Sequence, residues 1–150
     1  MNWIKLFENL EDNAIFFEPV TDAKLKKIKD ITGIEVSGQL LDLLMQSNGI
    51  RDKRFGDYLV YGSDQIVDRF EMCSEYHFKS PRFDRSRTLL FFAYDGCGDY
   101  FGYEANDGII ISPQIGFFYP IAPDEYMTVA PDLYTWATKW FTDTLPIWGK

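Results

Sequence analysis

The strongest constraint on the fold of this chain is a change of hydrophobic period partway along it. Up to Asn48-Gly49 the apolar residues recur at helical spacing, and from Thr88 they form strand-length blocks divided by Asx-Gly turns. Trp3, Leu6, Phe7 and Leu10 share one helical face, which predicts a helix over residues 2–11. Ala14 to Val20 reads as an extended connection. Thr21 caps a second predicted helix, with Ala23, Leu25, Ile28 and Ile31 inward and Gly33 as its left-handed stop. Ser37 is the expected cap of a third, which carries Leu40, Leu41, Leu43, Leu44 and Met45 and ends at Asn48-Gly49.

The second half follows a different rule. Arg51-Asp52-Lys53-Arg54 reads as a charged turn and Tyr58–Tyr61 as a strand. Ser63 opens a fourth helical segment with Ile66, Val67, Phe70, Cys73 and Tyr76 as its inner stripe. Lys79–Arg87 is basic and irregular. Leu89–Tyr94, Tyr100–Glu104 and Ile109–Ser112 read as strands separated by Asp95-Gly96-Cys97-Gly98 and Ala105-Asn106-Asp107-Gly108. Tyr126–Val129 fits one more strand. Pro131 suits the first turn of a closing helix lined by Leu133, Trp136, Ala137, Trp140 and Phe141. Helices segregated from an antiparallel meander predict an α+β fold, and 150 residues without linker or repeat predict one domain over 1–150.

Charge narrows the function. The formal net charge is −8, and Thr88 to Thr138 holds no Lys or Arg, only Asp95, Asp99, Glu104, Asp107, Asp124, Glu125 and Asp132. Nucleic-acid binding needs cations to displace phosphate counterions, so no direct nucleic-acid partner is expected. An acidic face instead suits a basic protein. No apolar run reaches membrane-span length, no signal-peptide pattern opens the chain, and two cysteines make no disulfide framework. These features predict a soluble cytoplasmic protein with no membrane partner.

The catalytic motifs are thin. His77 is the only histidine, which excludes sites that need two. Cys73 and His77 lie four apart, but Cys73 falls on a core stripe. Cys97 sits between glycines in a turn where a thiol and free N–H groups could serve acyl chemistry, yet Asp95 and Asp99 beside it disfavour the thiolate. Asp95–Asp99 lacks the further oxygen ligands of a calcium loop, and Phe101 stands where a dinucleotide fingerprint needs its third glycine. No enzyme, metal or cofactor is therefore expected.

Three stretches in order carry a resemblance. They are Ile34–Leu40 running into Leu44-Met45-Gln46-Ser47-Asn48-Gly49, Phe92-Ala93-Tyr94-Asp95-Gly96-Cys97-Gly98-Asp99-Tyr100-Phe101-Gly102-Tyr103, and Val129–Trp136. From about Thr21 to Phe141 the chain resembles the SUKH superfamily, specifically its Smi/Knr type. Ser37-Gly38 stands where the family usually has Leu-Pro. The resemblance implies a non-enzymatic binding domain: bacterial members are similar to immunity proteins of polymorphic toxin systems, whose toxins are often nucleases, and fungal members are regulators. The expected function is neutralisation of a cognate, basic toxin by direct binding. The alternative is a regulatory or scaffold module with no toxin. The expected contact residues are Asp95, Asp99, Glu104, Asp107, Asp124 and Glu125, with Tyr100 and Tyr103 as exposed aromatic anchors.

Overall fold

The computed structural model describes residues 1–76, 89–94, 96, 100–113 and 126–145. Along the chain these form α1 (Trp3–Leu10), β1 (Ala14–Phe16), α2 (Asp22–Thr32), α3 (Gly38–Leu44), β2 (Ile50–Asp52) and β3 (Tyr58–Val60). There follow α4 (Ser63–Tyr76), β4 (Leu89–Tyr94), β5 (Tyr100–Glu104), β6 (Ile110–Pro113), β7 (Tyr126–Ala130) and α5 (Leu133–Trp140). The class is α+β. The strands form two antiparallel sheets rather than one meander, in the orders β1-β2-β3 and β4-β5-β6-β7. The basic, irregular segment Lys79–Arg87 lies outside the described residues.

The helix ends follow from local chemistry. Asn2 Oδ1 accepts the Lys5 N–H at 3.0 Å, so Asn2 is the cap of α1 rather than its first residue. Thr21 caps α2 through Lys24, and Gly33 ends it at φ +73°. Only Ile28 of α2 is buried. Ala23 and Ile31, expected inward, are exposed, because α2 rests on α4 along a narrow stripe. Two further caps differ from expectation. Ser37 flanks α3 but makes no side-chain cap bond, and the cap of α5 is Asp132, which accepts from Thr135 N–H at 2.7 Å. Pro131 thus precedes the helix instead of opening it.

The three-stranded sheet departs most from the sequence reading. Arg51-Asp52 belongs to its central strand, β2, not to a turn. Ile50 and Asp52 are buried while Arg51 between them is half-buried, so the alternation is present under the charges. Buried Asp52 is tolerated because Arg54 pairs with it, Nη2 lying 2.9 Å from Oδ2, and because it also accepts the Arg54 backbone N–H at 2.8 Å. The true turn follows at residues 53–57.

One buried cluster joins the helices and both sheets. Leu40, Leu44, Phe92 and Trp136 are fully buried, whereas Trp140 is partly exposed. Trp136 meets Phe92 and Phe101 in T-shaped contacts at centroid distances of 4.7 and 5.4 Å, a geometry that aromatic quadrupoles favour. Of the α4 stripe, Ile66 and Val67 are buried and Phe70 is half-buried. The four-stranded sheet carries α5 on one side, and α4 packs against β4. The interior strand β5 is consequently buried at all five positions.

Candidate functional site

Burial of β5 decides where the expected contact residues go. Tyr100, Tyr103 and Glu104, expected as exposed partner contacts, are only 5%, 2% and 8% exposed. Alternation predicts an outer face only where one side of a sheet meets water. Tyr100 packs its ring 5.9 Å from Phe91 and 5.3 Å from Tyr94, so it is part of the aromatic interior rather than an exposed anchor. Asp107 is exposed in the turn between β5 and β6. Asp95, Asp99, Asp124 and Glu125 lie outside the described residues, as do His77 and Cys97.

The structure brings two of the expected residues, Tyr103 and Asp107, to one acidic cleft of about 410 Å³. Its walls are the start of α3 (Ser37, Gly38, Gln39), the 105–108 turn and Asp132 at the start of α5. Two bonds tether these walls and a third shapes the turn. Ser37 Oγ donates to the Ala105 carbonyl at 2.8 Å, Gln39 Oε1 accepts from Tyr134 N–H at 3.0 Å, and Asp107 Oδ1 accepts from Ile109 N–H at 3.0 Å. The first two bonds join residues far apart in sequence, so the cleft is a product of tertiary packing.

The Tyr103 hydroxyl lies at the start of α3, against Gly38. It faces the backbone N–H groups of Leu40 and Gln39 at the start of α3. Burial pushes its pKa above the ordinary tyrosine value. The nearby Asp107 and Asp132 carboxylates push the same way, against the opposing pull of those N–H groups. It therefore serves as a neutral hydrogen-bonding group. Gly38 makes this possible: at φ +59° it has the backbone conformation glycine tolerates, and a Cβ there would collide with the Tyr103 oxygen.

Asp107 and Asp132 each commit one carboxylate oxygen to a backbone N–H, which fixes both at the rim of the cleft. Two carboxylates, the Asn106 amide and a neutral phenol can receive a lysine or arginine side chain from another protein. Asp132 and Gln39 were not singled out from sequence as contact residues. The signal for Asp132 was present, as an Asp immediately before an apolar-periodic run. Gln39 carried no signal, because its place depends on α5 packing beside α3.

Among the described residues, no three His, Cys, Asp or Glu side chains gather where a metal ion could be held. No helix among them is long and apolar enough to cross a membrane. Compared with curated proteins, the chain matches none. Compared with family models, it matches that of the SMI1 / KNR4 family (SUKH-1) over residues 19–139, which takes in every element from α2 to α5 apart from the last residue of α5. The α+β architecture, the Asn48-Gly49 helix end and the β4–β5 hairpin all fall in that span, and the chain belongs to the SMI1 / KNR4 (SUKH-1) family.

Proposed function

We propose that this chain is a cytoplasmic, non-enzymatic immunity protein that binds a basic cognate toxin and blocks its active surface. The observation that carries this reading is the acidic cleft, whose carboxylates Asp107 and Asp132 both fall in a stretch of 51 residues, Thr88 to Thr138, that lacks any Lys or Arg. Membership of the SMI1 / KNR4 (SUKH-1) family supports a protein partner. A nuclease toxin must present cations along its phosphate path, and carboxylates held at fixed positions compete for those cations. Such binding neutralises by occlusion and needs no chemistry from the inhibitor.

The test is co-expression with the toxin domain encoded next to this gene, followed by co-purification and a survival assay. The reading expects a stable complex and rescue of growth. Asp107→Lys, at an exposed turn, should slow association and flatten its dependence on salt. A toxin that forms no complex, or a complex whose kinetics ignore Asp107→Lys, overturns the assignment of this face. The absence of a toxin gene in the locus favours a regulatory module instead.

A further inference from the structure

A second surface lies where the two sheets meet. β3 is the outer strand of the first sheet and β4 the outer strand of the second. Just past β3 the Tyr61 N–H donates to the Phe92 carbonyl at 2.7 Å, and among the described residues no ladder joins the two strands. Phe92 is free to make that contact because it is the extra residue of a bulge. The β4–β5 register passes from Phe91–Gly102 to Ala93–Phe101 and skips it. Past this point the chains diverge, and a groove of about 600 Å³ opens between Tyr58-Leu59 on one side and Tyr94 and Gly96 on the other.

The lining has the composition of a protein-recognition site. Tyr58, Tyr61, Tyr94 and Trp140 supply aromatic walls, and Tyr94 is 40% exposed although it sits on a strand whose other five residues are buried. Arg69 lies over the Tyr61 ring at 5.5 Å and is neutralised by Asp68, its Nη1 lying 2.9 Å from Oδ2. Asp52 is likewise neutralised by Arg54. Asp57 is exposed on the groove and has no ion pair among the described residues. The uncompensated charge of the groove is therefore negative.

Strand edges carry main-chain donors and acceptors that an added strand can satisfy, and side-chain pockets beside them read alternate residues. We infer that the groove between β3 and β4 receives an extended segment of a partner protein. That segment places a lysine or arginine against Asp57 and sets apolar or β-branched residues against the tyrosines. This inference does not rest on the toxin reading, because the groove shares no lining residue with the acidic cleft.

The experiment pans a phage-displayed library of random decapeptides against the full chain. Enriched sequences are then synthesised, and their affinity is measured by fluorescence anisotropy. The expected peptides carry Lys or Arg among β-branched and apolar residues. Their Kd should rise about tenfold or more with Asp57→Lys, the loss of one charged contact. N-methylation of alternate peptide amides should abolish binding while leaving every side chain in place. Tyr94→Ser provides a second variant at an exposed position, and the melting temperature of each variant confirms that it is folded. No enrichment over an uncoated surface overturns the inference, as do peptides that bind both variants with unchanged Kd. Sedimentation showing a dimer of this chain that Asp57→Lys dissociates assigns the groove to a second copy and overturns the partner segment.

Discussion

Asn48 and Ser63 exchange two hydrogen bonds across 15 residues of chain: Asn48 Oδ1 accepts the Ser63 N–H at 2.8 Å, and Asn48 Nδ2 donates to Ser63 Oγ at 3.1 Å. The asparagine that ends the α3 region therefore clamps the start of α4. Next to it Gly49, at φ +91°, brings its backbone against Gly62, where a Cβ would lie 2.7 Å from the Gly62 nitrogen. The Asn-Gly pair thus does more than stop a helix. It joins α3, β2 and α4 at a single point.

Two substitutions follow from that junction. Asn48→Ala removes a side-chain cap and should cost about 0.5–2 kcal/mol in chemical denaturation. Gly49→Ala should cost more than Gly33→Ala. Both residues have positive φ, but a Cβ at Gly33 meets nothing within 4 Å, whereas at Gly49 it meets backbone that cannot step aside. Equal losses at the two glycines would show that strain alone acts at Gly49.

Asp52 makes stability depend on pH in a defined direction. The Arg54 side-chain hydrogen bond holds its carboxyl below the ordinary value of 3.8, with burial opposing. A carboxylate with a depressed folded pKa contributes stability above its unfolded pKa and loses it as pH falls through the folded value. Asp52→Asn should therefore destabilise the protein at pH 7, and the gap from the native chain should shrink below about pH 3.8. Urea unfolding of both proteins across that range measures it.

The two tryptophans of α5 should separate in the same kind of experiment. Trp136 is fully buried under Phe92 and Phe101, so Trp136→Ala should cost about 3–5 kcal/mol. Trp140 packs on Phe101 at 5.0 Å but borders the groove, so its truncation opens toward solvent rather than into a sealed cavity. Trp140→Ala should lower the melting temperature less. A reversed order would place the inner face of α5 on the wrong stripe.

Particular residues show what could be read from the sequence and what could not. Thr21, Gly33 and the glycine-bearing turns act within a few residues of themselves, so α2 and the β4–β5–β6 hairpins were legible. Of the sheet β1-β2-β3 only β3 was legible, in Tyr58–Tyr61. β1 is three residues long and shows no period, and Arg51-Asp52 of β2 resembles a turn until Arg54 is seen neutralising Asp52. Tyr100, Tyr103 and Glu104 were misplaced because neighbouring carboxylates and turns do not report whether helices cover the strand. The cleft joins residues 37–39, 103–108 and 132, a meeting that no local pattern encodes.

The departure at Ser37-Gly38 yields a test of how the cleft is built. Ser37 gives α3 no side-chain cap, and the Tyr103 hydroxyl lies beside the first N–H groups of the helix, in the space that Gly38 leaves. Gly38→Ala should be destabilising for two reasons: the added Cβ is strained at φ +59°, and it displaces the Tyr103 oxygen. Tyr103→Phe alone should cost about 1–3 kcal/mol, because buried N–H groups lose their acceptor. In the double variant the collision is gone and only the backbone strain at residue 38 is added. The combined loss should therefore fall short of the sum of the single losses by about 0.5 kcal/mol or more, the signature of residues in direct contact. Denaturation of the native chain and the three variants under one set of conditions gives that coupling energy. Strictly additive losses would mean that Gly38 and Tyr103 act independently and that the cap of α3 lies elsewhere.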